Sequence, residues 1–169
     1  MIANLLLLLT AAIWGFGFVA QVLGMNYLEP FAFIGARFIL GALSLLPVIW
    51  YLQRQETAAG PGIGYLVYAS CVLGTILFAA SSFQQVGLLY TTASNAGFIT
   101  GMYMVFVPIF GLMLGMATGL VTWLGCIVAA IGLFMLGVND QYRMGYGDLL
   151  QLAGAGIWAL HILAIDHFT

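Results

Sequence analysis

The chain has 169 residues, of which 64% are hydrophobic and 5% charged, and its mean hydropathy is +1.13. Soluble domains carry about 25% charged residues, so this composition excludes a water-exposed globular domain and predicts an integral membrane protein in a lipid bilayer. Three basic residues stand against five acidic ones, which leaves no basic patch and excludes a nucleic-acid partner.

The N-terminal apolar run is long enough to cross a membrane. It extends from Ile2 to about Met25, and no Lys or Arg precedes Arg37. A cleaved signal peptide has a basic start and a shorter apolar core of about 7–15 residues. We therefore predict a retained helix over about residues 3–23.

Five more apolar runs follow along the chain, and continuous rather than alternating runs favour helices over barrel strands. Glu29 and Pro30 mark the turn before the second helix, because Pro is tolerated at a helix start, and Pro108 is expected to bend the fourth helix. The predicted fold class is all-α integral membrane, with about six transmembrane helices. The later helices are predicted over about residues 31–52, 63–89, 92–116, 120–138 and 148–169.

The loop charges give a small preference for one orientation. If the N-terminus lies inside, Arg54 and the terminal amine lie in the cytoplasm and Arg143 lies outside, beside Asp140. The positive-inside rule then predicts a cytoplasmic N-terminus, in a cell membrane that is expected to be the bacterial inner membrane.

The last predicted helix repeats features of the first. Aligning Trp14 with Trp158, an offset of 144 residues, also aligns the preceding isoleucines and several alanines and leucines. The chain crosses the membrane five times before the second copy begins, so the second copy enters from the opposite side, as in the inverted repeats of secondary transporters. The aligned residues are Leu5, Leu6, Leu8, Ala11, Ile13, Trp14 and Ala20 with Leu149, Leu150, Leu152, Ala155, Ile157, Trp158 and Ala164.

Five blocks of this sequence, in order, resemble the EamA type of the drug/metabolite transporter superfamily. They are "AAIWGFGFVAQ", "EPFAFIGARFILGAL", "SFQQVGLLYTTASNAGFITGMYMVFVPIFGLML", "TWLGCIVAAIGLFML" and "GYGDLLQLAGAGIWALHILAIDHF". The resemblance implies about ten helices in two inverted five-helix repeats, which export amino acids, related metabolites or drugs. On this basis we expect a first repeat over 1–138, a connecting loop over 139–147 and the first helix of a truncated second repeat over 148–169.

Polar and aromatic residues share faces on several predicted helices, because positions i, i+3, i+4 and i+7 lie on one side of a helix. Uncharged polar groups at membrane depth are expected to face protein or water, and the resemblance implies that helices one, three and four surround a central cavity. We predict a cavity for a mostly apolar or zwitterionic solute. Its predicted lining is Thr10, Trp14, Gly17, Gln21, Gln84, Gln85, Asn95 and Met102.

Structural roles remain open for the same residues. Gln21, Asn95 and Ser81 equally suit hydrogen bonds between helices, and Trp14 suits packing. Arg37, a charge well inside a predicted span, is interpreted as a structural charge that reaches the interface or pairs with Glu29 or a backbone carbonyl. No Asp or Glu lies in mid-span before Asp166, so no proton-coupling carboxylate is predicted.

Small residues at four-residue spacing predict close packing of the fourth and fifth helices, because such spacing allows helix backbones to approach each other. Two series of glycines lie on the predicted fourth helix and just after its end. A matching series of small residues lies on the predicted fifth helix. The packing glycines are predicted to be Gly97, Gly101, Gly111, Gly115, Gly119, Gly125 and Gly132.

Catalytic and metal-binding patterns are not recognisable. His161, Asp166 and His167 do not have converging metal-ligand spacing, and Cys71 and Cys126 lie in apolar runs without a disulfide or zinc pattern. We therefore expect neither an enzyme, nor a metal site, nor a cofactor.

The leading hypothesis is a secondary transporter that exports small metabolites or drugs by alternating access, present as an N-terminal half that lacks its second repeat. Two alternatives are a half-size transporter that acts as an antiparallel homodimer and a truncated membrane protein without transport activity. The predicted partners are a small-molecule solute, the lipid bilayer, and either the second repeat or a homodimer partner.

Overall fold

A computed structural model describes residues 2–54, 61–137 and 144–169, and within these ranges the regular structure is entirely helical. Most of the predicted connecting loop at 139–147, including Arg143, lies outside the described residues. The helices are α1 (Ile2–Gly24), α2 (Pro30–Gln53), α3 (Ile63–Gly87), α4 (Ala93–Gly101), α5 (Tyr103–Met113), α6 (Leu120–Gly137) and α7 (Tyr146–Phe168).

The described helices confirm the predicted all-α membrane fold. Five segments are long and apolar enough to cross a bilayer, namely α1, α2, α3, the pair α4–α5, and α7, and α6 contains a shorter apolar helix. Leucines and isoleucines on the outer faces of these helices are largely exposed, for example Leu7, Leu40 and Ile131. In a bilayer such side chains contact lipid, so their exposure is typical of a membrane protein.

The fourth span is interrupted nearly two helix turns earlier than the sequence suggests. A single helix bent at Pro108 was expected, but α4 ends at Gly101 and α5 begins at Tyr103, while Pro108 lies inside α5. The amide of Met102 donates to the carbonyl of Ile99 at 3.1 Å, which tightens the chain into a three-residue turn. Glycine is a weak helix former, and Gly101 occupies this break.

The fourth span also ends earlier than residue 116. Gly115 has a φ of +82°, in the left-handed region that glycine adopts most readily. The amide of Met116 donates to the carbonyl of Gly111 at 2.9 Å, which completes a glycine-based helix cap. The chain therefore leaves the helix after Met113 and turns towards α6.

Helices α3 and α7 lie side by side and antiparallel along their whole length. At one end the backbones of Gly87 and Gly147 approach so closely that a Cβ at Gly147 would lie 2.7 Å from the Gly87 carbonyl oxygen. At the other end the Tyr65 hydroxyl donates to the Phe168 carbonyl at 3.2 Å. Helices α4 and α5 also pack against α7, so α7 lies at the centre of the bundle.

The closely packed glycines differ from most of those that the sequence suggested. A Cβ would meet nothing within 4 Å at four of the predicted positions, Gly115, Gly119, Gly125 and Gly132. Gly111 instead lies against Met116 and the Leu163 side chain of α7, and Gly97 faces Phe18 of α1 at 3.9 Å. The predicted fifth helix, α6, does pack against α4 and α5. The close backbone approach, however, is made by glycines of α7 against α3.

One apolar cluster holds α1 against the rest of the bundle. Phe18 of α1, Leu88 after α3 and Ala96 of α4 are buried together, and Val22 and Met25 pack against them. This cluster fixes the second half of α1, and with it the direction in which the polar face of α1 points.

We expect Gly147→Ala to destabilise the protein by about 1–3 kcal/mol, because the new methyl group overlaps the backbone of α3 and Tyr90. Gly156→Ala, also on α7, is the matched control, since a Cβ there meets nothing within 4 Å and alanine favours a helix. Thermal unfolding in detergent, followed by circular dichroism, measures both. Equal melting temperatures for Gly147→Ala and the unmodified chain would contradict the close contact.

Candidate functional site

A cavity of about 520 Å³ lies between α1, α2, α3 and α7. It has an aromatic part and a polar part, and Arg37 is the charged residue in its lining. The lining residues are Thr10, Ile13, Trp14, Gly17, Gln21, Arg37, Phe38, Ser81, Gln84 and Trp158.

Two tryptophans form the aromatic part. The rings of Trp14 and Trp158 meet edge to face with centroids 6.1 Å apart, and Tyr103 of α5 lies 5.8 Å from Trp14. The Trp158 indole N–H donates to Gln84 Oε1 at 3.2 Å. A buried tryptophan normally finds such an acceptor, and this bond fixes both the indole ring and the Gln84 side chain.

The polar part contains several atoms without a partner. The Gln21 side chain donates from Nε2 to the Gly17 carbonyl at 3.1 Å, but its Oε1 is buried and accepts no hydrogen bond. The Ser81 hydroxyl is also buried without a partner. Thr10, by contrast, donates to the Leu6 carbonyl of its own helix at 2.8 Å. Gln21 and Ser81 therefore offer unused hydrogen-bonding capacity to whatever fills the cavity.

Arg37 lines the same cavity and has no acidic partner among residues 2–54, 61–137 and 144–169. Its Nε is buried without a hydrogen bond, and its guanidinium carbon lies 5.3 Å from the centroid of the neighbouring Phe38 ring. The expected pairing with Glu29 is not formed. Glu29 precedes the first residue of α2, and the helix rise places it about 12 Å from Arg37 along the axis.

The predicted lining residues divide into two groups. Five of them surround this one cavity, namely Thr10, Trp14, Gly17, Gln21 and Gln84. Asn95, Met102 and Gln85 do not contribute to it. Met102 lines a separate apolar cavity of about 530 Å³ with Ile99 of α4 and residues of α6 and α7.

The face of the fourth span that carries Met102 borders the other cavity. Met102 lies three positions after Ile99, on the same helix face, and both line the cavity shared with α6 and α7. Asn95 lies in the first turn of α4, where its backbone N–H donates to the Thr92 hydroxyl at 3.2 Å. Gln85 lies next to Gln84 on α3 but is fully buried, and neither atom of its amide has a partner.

Several residues that line the cavity were not among its predicted lining residues. Trp158 is signalled in the sequence by its alignment with Trp14. Ser81 lies three positions before Gln84 on the same helix face. Arg37 is recognisable as a charge in a span, but its direction depends on how α2 packs against α3. Ile13 and Phe38 have no signal that separates them from lipid-facing neighbours.

Two buried polar residues of α7, Gln151 and Asp148, form hydrogen bonds with neighbouring segments next to the cavity. Gln151 of α7 is fully buried, donates from Nε2 to the Gln84 carbonyl at 2.8 Å and accepts from the Thr100 hydroxyl at 3.3 Å. One turn earlier, Asp148 accepts from the Thr91 hydroxyl at 2.6 Å and from the Gly145 amide at 2.9 Å. These bonds fix the register of α7 against α3, and so the position of Trp158 relative to Gln84.

Comparison with known proteins identifies similar chains. The profile of the EamA-like transporter family matches residues 1–138. Two curated relatives, both named "Uncharacterized transporter" and both from Archaeoglobus fulgidus, are similar over nearly the whole chain. One is 32% identical over 179 aligned positions, which cover 99% of this chain and 50% of the relative. The other is 29% identical and covers 98% of this chain and 60% of the relative.

The chain thus spans about half the length of the curated relatives it matches. No solved structure matches it.

We expect Gln151→Leu to destabilise the protein by about 1–2 kcal/mol, because it leaves the buried Thr100 hydroxyl without its partner. Gln85→Leu is the matched control: both glutamines are fully buried, but the Gln85 amide makes no hydrogen bond, so its loss should leave stability unchanged or raise it. Thermal unfolding of the two variants in the same detergent measures the difference. A larger loss for Gln85→Leu than for Gln151→Leu would contradict this account.

Proposed function

The chain belongs to the EamA-like transporter family, and from this premise we propose that it moves a small metabolite across the membrane by alternating access, with the cavity between α1, α2, α3 and α7 as part of the solute site. Its membership of the family and the names of its relatives support a role in membrane transport. The direction of transport that we propose is export, and the solutes are amino acids, related compounds or drugs.

The contact between Trp14 and Trp158 carries this proposal. These two residues are aligned by the internal repeat at an offset of 144 positions, and their rings meet at 6.1 Å in the cavity wall. In inverted-repeat transporters the solute site lies near the bilayer midplane at the interface between repeats. Trp158 lies about 18 Å along α7 from Tyr146, which is close to the middle of the span.

The size and lining of the cavity suit a small molecule. Its volume of about 520 Å³ lies within the range of about 300–1,000 Å³ that is usual for small-molecule sites. Aromatic rings occupy one part and hydrogen-bonding groups the other. We propose that the solute has an apolar body, which contacts Trp14 and Trp158, and a polar end, which contacts Gln21, Ser81 and Gln84.

We further propose that the wall of the cavity is completed either by the remaining helices of the second repeat, of which α7 is the first, or by a second, oppositely oriented copy of the chain. Alternating access needs two units that rock against each other around the site. Support comes from the length of the relatives, of which this chain covers 50% and 60%. We also propose that the protein lies in the plasma membrane and that its N-terminus is on the cytoplasmic side.

We expect Trp14→Ala to lower solute export at least about tenfold, because it removes a large contact surface from the middle of the cavity. The measurement compares metabolites in the medium of cells that express each variant, by mass spectrometry, against cells without the protein. Trp50→Ala is the matched control: Trp50 is on α2, is 58% exposed and is absent from the cavity lining.

Export that is unchanged in Trp14→Ala, at equal protein levels in the membrane, would contradict the assignment of this cavity as the solute site. An equal loss in Trp50→Ala would also contradict it, because the effect would then come from folding or insertion rather than from the cavity.

A further inference from the structure

We infer that Arg37 binds an anionic group of the solute, so that the solute of this cavity is a monocarboxylate with an apolar body. This inference rests on the proposed function of the cavity and adds the charge of its ligand. It also changes the role of Arg37 from a structural charge to a binding residue.

The first argument is the depth of Arg37 in the membrane. Arg37 lies seven residues after Pro30, about 10 Å along α2, which is a third of the way through a hydrocarbon core of about 30 Å. Charged side chains at such depth are costly, and they generally face a cavity or a partner. Arg37 faces the cavity, and its Nε has no hydrogen-bond partner.

The second argument is that the nearby carboxylates are otherwise engaged or distant. Asp148 accepts hydrogen bonds from Thr91 and Gly145. Glu29 precedes α2, and Asp166 is exposed near the end of α7. No described carboxylate lines the cavity, so the positive charge of Arg37 has no counter-ion in the part of the chain that the structure describes.

The third argument is the set of unpartnered atoms around the same cavity. Arg37 Nε, Ser81 Oγ and Gln21 Oε1 are buried, lack hydrogen bonds and belong to three different helices. A guanidinium presents a planar fork of N–H donors that matches a carboxylate, and the Ser81 hydroxyl can donate to the same group. Gln21 Oε1 is an acceptor, and it would bind an N–H or O–H of the solute beside the carboxylate.

The polar residues lie towards one end of the cavity and the tryptophans near its middle. Counted along their helices, Gln21 lies about 4 Å and Ser81 about 9 Å from the helix ends on the side where α2 begins. Trp14 lies about 15 Å from the same end of α1. A bound solute would therefore direct its carboxylate to this side and its apolar body to the middle of the membrane.

The lining charge favours a monocarboxylate over a phosphate ester. Among residues 2–54, 61–137 and 144–169, Arg37 is the one charged residue in the lining, which includes no second cation. A phosphate group carries a charge of about −1.5 to −2 at neutral pH, which one guanidinium would leave partly uncompensated in an apolar surrounding. A carboxylate carries one charge, which matches the single cation.

The inference is tested by binding to the protein purified together with the unit or copy that completes its cavity, in lipid nanodiscs, with two probes of nearly equal shape. The probes are 3-phenylpropionate, which is anionic, and 3-phenylpropionamide, which is neutral. Isothermal titration calorimetry compares the unmodified chain with Arg37→Leu, Arg37→Lys and Arg54→Leu. Arg54 is the matched control, because it lies at the end of α2 outside the cavity, with its guanidinium 3.7 Å from the Trp50 ring centroid.

We expect the acid to bind the unmodified chain about tenfold or more tightly than the amide, since a charge-assisted hydrogen bond is about twice as strong as a neutral one. Arg37→Leu should abolish this preference, so that the acid and the amide bind equally. Arg37→Lys should restore part of the preference because it restores the charge, and Arg54→Leu should keep all of it. Circular dichroism melting curves verify that each variant is folded.

The comparison of acid and amide on the unmodified chain tests whether the cavity prefers an anion, even if a variant fails to fold. Equal binding of the two probes, or a preference that survives in Arg37→Leu, would overturn the anion-binding role and leave the cavity standing as a solute site. Binding of neither probe would overturn both this inference and the proposed solute cavity.

Discussion

The close contact between α3 and α7 is the constraint on which the rest of the structure depends. Glycines at 87, 147 and 154 bring the two backbones together, and Gln151 bonds the side of α7 to α3 and α4. Because the register of the two helices is fixed, Trp158 reaches Gln84 and stands opposite Trp14. A shift of α7 by one residue would rotate Trp158 by about 100° away from the cavity.

The distribution of satisfied and unsatisfied polar groups separates structural residues from site residues. In an apolar surrounding an unpaired polar group is costly. Thr75 and Ser82 accordingly donate to carbonyls of their own helix. Of the buried unpartnered atoms, those of Gln21, Arg37 and Ser81 line one cavity, whereas those of Gln85 and His161 do not. Three such groups on three helices around one space are typical of a site that binds a polar ligand.

The sequence alone predicted the number of helices and half of the cavity because both depend on local properties. Apolar run length determines the spans, and a continuous helix such as α1 has a periodic face, so Thr10, Trp14, Gly17 and Gln21 were predicted together. Met102 lines the cavity shared with α6 and α7, and Asn95 lies in the first turn of α4, because the direction of this helix face depends on how the helices pack and not on a local property of the sequence. Which glycines form close contacts depends on which helices become neighbours. No local feature of the sequence indicates that α7 packs against α3.

The contact between Trp14 and Trp158 also says where the proposed repeat axis lies. In an inverted repeat, two equivalent residues can meet each other only near the axis that relates them, so the axis would pass between these rings. Residues equivalent under the same offset then lie on opposite sides of it. Gln21 lies at the polar end of the cavity, and its equivalent position is Ile165. The polar end of the cavity therefore has no polar counterpart across the axis on α7, and a solute with one charged end would be held in one direction rather than two.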